Sequence, residues 1–160
     1  MPVKVMEREI RMEKMHFEME SHSSNEQFAR VVVAVFLARL NPTVEELDDV
    51  KTAVSEAVTN CIIHGYEGGP GTIRVEVTVE DRLATIHVID WGIGIHDVKR
   101  AMEPLYTTKP TEERCGMGFA FMEAFMDELT VKSVPGEGTV VTMKKQIKKP
   151  KGEERRKARG

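Results

Sequence analysis

Between Thr72 and Ile89 apolar and polar residues alternate almost without a break: Ile73, Val75, Val77 and Val79, then Leu83, Ile86 and Val88. A period of two places every apolar side chain on one face of a β-strand. The link at about Glu80-Asp81 is far too short for the crossover that parallel strands require, so strands 72–80 and 82–89 are expected to pair as a hairpin. A second hairpin is expected from Leu129–Val134 and Thr139–Gln146 around Pro135-Gly136-Glu137-Gly138. Strands that arrive as hairpins argue against a doubly wound sheet, in which each strand is followed by a helix.

The remaining segments fit round this frame. Met15–Glu20 alternates and reads as a strand. Ser21 to Ser24 is a turn offering an N-cap. A helix is expected from Asn25 to about Leu40, with Phe28, Val31, Val32, Val35, Phe36 and Leu40 as its apolar stripe, stopped by Asn41-Pro42. Thr43-x-x-Glu46 opens a second helix as a capping box; Leu47, Val50, Val54, Ala57, Val58 and Cys61 form its stripe, and His64-Gly65 ends it. Residues 91–115 are irregular apart from a short helix at 97–103, a length that suggests a functional lid. A helix follows at 118–126. The order β-α-α-β-β-lid-α-β-β predicts an α/β (α+β) two-layer sandwich: a mixed, largely antiparallel sheet with helices on one face.

Composition narrows function mainly by exclusion. A net charge of -3 gives no ground for generic nucleic-acid binding, so no direct nucleic acid is expected as a partner. Cys61 and Cys115 are too few for a disulfide scaffold and lie in no Cys-x-x-Cys pair. No apolar run is long enough to span a bilayer, and Met1 to Lys14 lacks the apolar core of a signal peptide; a cytoplasmic setting without membrane contact is the expectation. Residues 1–13 read as a poorly ordered extension, 14–147 as the folded domain and 148–160 as a basic, solvated tail.

Three short blocks carry chemistry. Glu56 and Asn60 lie one turn apart, about 180° and 220° round the helical wheel from Leu47, so they point jointly at something beside the helix. Asn60 offers a neutral oxygen suited to Mg²⁺, and Glu56 can accept a proton from an attacking hydroxyl; polar residues off an apolar stripe also commonly just face water. Asp90 follows the apolar run Ile86-His87-Val88-Ile89, where its carboxylate can accept a hydrogen bond from an exocyclic amine such as that of adenine. Gly92 and Gly94 allow backbone close approach. Gly116 and Gly118 stand at a helix start, which favours phosphate, with Arg114 adding charge. Singly each block is weak, since Asp-x-Gly-x-Gly also occurs in ordinary turns. A calcium loop is disfavoured because Ile95, His96 and Val98 follow where oxygen ligands would be needed, and no Walker motif is present.

Taken in order, the blocks resemble the GHKL superfamily of ATPases and kinases, whose nucleotide site is the Bergerat fold: Glu56-x-x-x-Asn60 resembles its N box, Asp90-x-Gly92-x-Gly94 its G1 box and Gly116-x-Gly118 its G2 box. Ser55 to Asn60 with Ile62-Ile63-His64-Gly65-Tyr66, Pro104 to Pro110, and Gly116-Met117-Gly118-Phe119 resemble the anti-sigma-factor serine kinases of sporulation, over roughly residues 14–147. The resemblance implies a homodimer that holds a sigma factor inactive in an ATP-dependent manner and phosphorylates a serine of an anti-anti-sigma protein. It implies Glu56 as general base, Asn60 on Mg²⁺ and Asp90 on adenine. Gly92, Gly94, Gly116 and Gly118 would shape the walls. Thr107, Thr108, Lys109, Arg114 and Met117 would lie in the nucleotide-binding lid and Thr139 beside the adenine pocket. Glu26 and Arg30 would contact the protein partners. An ATP-gated sequestering module with little kinase activity uses the same pocket residues and stays open as the alternative.

Overall fold

The computed structural model describes residues 12–103 and 118–150. Strand β1 (Met12–Glu20) is followed by helices α1 (Ser24–Leu37) and α2 (Val44–Asn60), the hairpin β2 (Thr72–Glu80) and β3 (Leu83–Asp90), a short helix α3 (Val98–Ala101), helix α4 (Gly118–Phe125), and the hairpin β4 (Glu128–Val134) and β5 (Gly138–Gln146). The five strands form one sheet in the order β1-β2-β3-β5-β4, and every neighbouring pair is antiparallel. Both expected hairpins are present. The β2–β3 turn falls at Asp81-Arg82, one residue later than expected, because the ladder continues to Glu80 opposite Leu83 and Asp81 takes the left-handed conformation at φ 54°.

The alternation does its work on one face. Ile73, Val75, Val77 and Val79 of β2, Ala84, Ile86 and Val88 of β3, and Val141 and Met143 of β5 are buried beneath the helices. The opposite face carries Arg74, which reaches Glu76 at 2.8 Å and Glu18 at 3.2 Å, and His87, hydrogen-bonded to Thr142 at 2.8 Å.

Helix α2 starts as its sequence demands. The Thr43 hydroxyl accepts from the Glu46 amide at 3.0 Å, and the Thr43 amide donates to Glu46 Oε1 at 2.9 Å. These bonds satisfy two donors left without partners at a helix start. Glu46 Oε2 also accepts from the Lys148 amide at 2.9 Å, and Arg82 donates to the carbonyls of Leu40, Ile147 and Lys148. One capping residue thus joins the first turn of α2 to the far end of β5. The anticipated cap on α1 is not formed: Ser23 makes no side-chain cap, and the Asn25 side chain instead donates to the Glu20 carbonyl at 2.8 Å.

Helix α1 buries a different face from the one its large residues suggest. Ala29, Val33, Ala34 and Leu37 enter the core, Phe36 and Leu40 are partly covered, and Phe28, Val31 and Val35 are exposed. Phe28-Ala29 and Val31 to Leu37 are apolar nearly all round, so periodicity alone does not select a face. Helix α1 packs on α2.

Candidate functional site

A cavity of about 400 Å³ opens between the end of α2, the loop after β3, α3, the start of α4 and the adjoining ends of β3 and β5. Its walls include Asn60, Asp90, Gly94, Gly118 and Thr139, so most of the described site residues expected from the sequence converge on one space. Thr107, Thr108, Lys109, Arg114, Gly116 and Met117 lie outside the described residues.

Glu56 does not face water: it is 4% exposed. It and Asn60 meet at the first residue of α4. A Cβ on Gly118 would lie 3.2 Å from Asn60 Oδ1 and 3.4 Å from Glu56 Oε2, so the bare glycine leaves the acid and the amide together at the helix start. Glycine there has a spatial reason, and the amide end of α4 faces the same place, which favours an anion.

Asp90 ends β3, opposite Ile73 on one side and Thr139 on the other, and is 5% exposed. Its Oδ1 accepts from the Gly92 amide at 2.9 Å. Burial raises its pKa above the usual aspartate value, while hydrogen bonds from the Gly92 amide, the Cys61 thiol and the Thr139 amide oppose that rise. The carboxyl therefore sits in a largely desolvated wall of the cavity, held by three protein donors. Thr139, also buried, places its Oγ1 2.8 Å from Ser133 Oγ, and Ser133 in turn accepts from the Ile95 amide at 2.8 Å.

The glycines after Asp90 are required by protein contacts. A Cβ on Gly92 would lie 2.1 Å from the Gly65 carbonyl oxygen, and Ile93 donates to that same oxygen at 3.0 Å. Gly94, at φ 75°, brings its backbone against Val134, whose carbonyl oxygen would lie 2.4 Å from an added Cβ. The loop is thus stitched to the end of α2 on one side and to the β4–β5 hairpin on the other.

The end of α2 is itself unusual. Cys61–Gly65 forms one π-helical turn, closed by Tyr66 N donating to Cys61 O at 2.9 Å. Such single wide turns often mark functional sites. Here the turn sets Cys61, His64 and Gly65 into the cavity wall. Gly65 has a further spatial role, since a Cβ there would come within 3.0 Å of the Asp90 carboxyl.

Sequence reasoning placed His64 at the helix end, with a site role as its second reading, and did not assign Cys61, Gly65, Ser133, His96 or Arg100 to the site. His64-Gly65 was the available signal, because a glycine that stops a helix also lets another backbone approach it. Glu26 and Arg30 lie half-buried on α1, away from the cavity-lining residues, and Arg30 Nε is buried with no hydrogen-bond partner among the described residues.

A buried Asp at a strand end, an acid–amide pair meeting a glycine at a helix start, and an antiparallel sheet beneath them define a histidine kinase-like ATPase domain; residues 20–145 match the family of that description. Such a domain binds nucleotide. The fold alone is shared with the RsbU and RsbW domains of Rv1364c from Mycobacterium tuberculosis, at a TM-score of 0.62 and 22% identity over 86% of this chain and 33% of that longer one. Sequence similarity is far higher to proteins named Anti-sigma F factor. It is 59% over 127 residues with that of Thermoanaerobacter sp. (79% of this chain, 89% of the relative), and 56% over 134 residues with that of Clostridium acetobutylicum (84% and 94%). With that of Geobacillus kaustophilus it is 52% over 139 residues (86% and 95%). The chain belongs to the anti-sigma F factor family.

Proposed function

We propose that this chain is a cytoplasmic, homodimeric anti-sigma factor that holds a sporulation sigma factor inactive when ATP is bound, and that it is also a protein serine kinase acting on an anti-anti-sigma partner. The observation that carries the kinase reading is the placement of Glu56, buried yet meeting Asn60 at the Gly118 gap. A carboxylate needed only for solubility has no reason to be desolvated beside an amide and a helix start.

In this reading Asp90 accepts from the adenine amine, with Thr139 beside it. Gly92, Gly94, Gly116 and Gly118 shape the pocket, and Thr107, Thr108, Lys109, Arg114 and Met117, outside the described residues, are assigned to nucleotide binding. Asn60 holds Mg²⁺. The Asn60 side-chain oxygen, beside the Glu56 carboxyl at the start of α4, suits that ion, since Mg²⁺ ordinarily takes one or two protein oxygens together with waters and substrate phosphates. When bound, Mg²⁺ neutralises charge on the transferring phosphoryl group. Glu56 takes the proton of a serine hydroxyl as its oxygen attacks the terminal phosphorus of ATP; that O–P bond forms as the bond to ADP breaks. Glu26 and Arg30 on α1 contact the sigma factor and the anti-anti-sigma protein.

Single-turnover transfer from labelled ATP to the partner tests the assignment. Glu56→Gln keeps nucleotide affinity and loses transfer by at least about 100-fold, the lower range of general-base contributions. Unchanged transfer overturns the base role. ATP-dependent sigma capture without any transfer by the parent protein would leave the sequestering module as the function.

A further inference from the structure

The adenine side of the cavity rests on a residue outside the three motif blocks. Tyr66 follows the π-helical turn at the end of α2. Its ring occupies the space a side chain at Gly71 would need: a Cβ there would lie 2.3 Å from Tyr66 Cε1. From that position the phenol donates to the Thr72 carbonyl at the start of β2 and accepts from the Trp91 amide at 2.8 Å at the end of β3. One hydroxyl therefore ties the end of α2 to two neighbouring strands at the point where β3 leaves the sheet.

The location of that tie matters for Asp90. The Trp91 amide belongs to the peptide joining Asp90 to Trp91, and the next amide, that of Gly92, holds Asp90 Oδ1 at 2.9 Å. Holding the first amide restrains the backbone from which the second reaches Asp90 Oδ1, and so biases the rotamer of the carboxylate. The Trp91 side chain is 54% exposed and offers little packing of its own to hold this backbone.

We propose that Tyr66 is the positioning residue that sets the Asp90 carboxylate for purine recognition. The proposal rests on the reading that Asp90 receives an exocyclic amine. The phenol keeps its proton for this work: burial, helped by the charge of Asp90, pushes its pKa above the usual tyrosine value.

The test compares ATP with ITP, which carries a carbonyl in place of the 6-amino group. Tyr66→Phe keeps the ring against Gly71 and removes only the hydroxyl. Its expected effect is a rise of about 5- to 10-fold in the Kd for ATP, the scale of one hydrogen bond, with a smaller change for ITP, so that the preference for ATP shrinks. Gly71→Ala displaces the ring and is expected to shrink the preference in the same way. In an Asp90→Asn background, Tyr66→Phe is expected to add nothing. The chain's single tryptophan is Trp91, so its emission reports the loosened loop directly. Equal losses for ATP and ITP, or the same loss with and without Asp90, would overturn the positioning role and leave a merely structural one. A parent protein that binds ITP as tightly as ATP would overturn the Asp90 reading itself, an outcome distinct from failure of Tyr66.

Discussion

Gly92→Ala isolates the contact that joins the nucleotide loop to the end of α2. The added methyl would lie 2.1 Å from the Gly65 carbonyl oxygen, 2.4 Å from its carbon and 2.9 Å from its Cα, whereas ordinary contact begins at 3.4 Å. The backbone must therefore separate by about 1.3 Å at a point where neither neighbour is a flexible side chain. That movement breaks the 3.0 Å bond from Ile93 N to Gly65 O, a loss of about 1 kcal/mol, and forces backbone strain of about 1–3 kcal/mol. The expected destabilisation is about 2–4 kcal/mol, read as a shift in the urea midpoint at unchanged slope. Gly136→Ala is the control. Gly136 has φ 81° with nothing within 4 Å of an added Cβ, so it carries only the left-handed strain of about 1–2 kcal/mol. ATP affinity should fall in Gly92→Ala and hold in Gly136→Ala, because only the former moves the backbone beside Asp90. A Gly92→Ala protein within about 0.5 kcal/mol of the parent, the usual scatter of surface substitutions, would refute the close-approach account.

Asn60→Ala is expected to weaken Mg-ATP more than metal-free ATP in calorimetric titration; equal losses would argue against metal ligation. Asp90 should make adenine recognition pH-dependent. Its folded pKa is raised above 3.8, chiefly by burial, so the contribution of its protonation to stability is complete below the usual aspartate value and is lost as pH rises through the raised one. The ionised form accepts from the amine. The ATP-to-ITP affinity ratio, in which phosphate titration cancels, should therefore fall as pH is lowered through that raised value and stay flat in Asp90→Asn. A ratio that holds constant down to pH ~4 would count against the assignment. Thr43→Ala should cost about 1–2 kcal/mol in urea unfolding as the capping box opens. Glu46→Ala should cost more, because it also strips the Lys148 amide of its acceptor; the reverse ranking would show that the tie to the end of β5 contributes nothing.

The sheet was legible because its signal is local and binary. Once Ile73 to Val79 and Leu83 to Val88 alternate across a two-residue link, pairing, register and buried face follow together, and a one-residue slip would turn every valine to solvent. Helix α2 was legible for a related reason, since the Thr43–Glu46 box and a narrow stripe agree on its start and inner face. Helix α1 was not. Its apolar residues surround the axis, so its own periodicity does not single out the face that packs. The exposed Phe28, Val31 and Val35 are the residues whose size drew the eye. Phe28 then meets Phe17 of β1 edge-on, with ring centroids 6.0 Å apart, a contact that nothing within α1 foretells.

The site divides along the same line. The side chains expected to act on a ligand were readable by type, an acid and an amide one turn apart and an acid at a strand end, and Asn60 and Asp90 do line one cavity. The groups that aim them were not, because aiming depends on atoms brought together from distant segments. Gly92 was read as freedom for ligand approach, yet the nearest backbone it meets is Gly65, and the carboxyl that Gly65 clears is Asp90. Tyr66 and Ser133 act in the same manner, each using a hydroxyl to fix an amide on the nucleotide loop at 2.8 Å. Asp90 is thus held through both edges of its strand, by the end of α2 and by the β4–β5 hairpin. Loosening the β4–β5 edge should therefore degrade base selectivity before it touches phosphoryl transfer, because Glu56 lies on α2 and meets the start of α4 at Gly118.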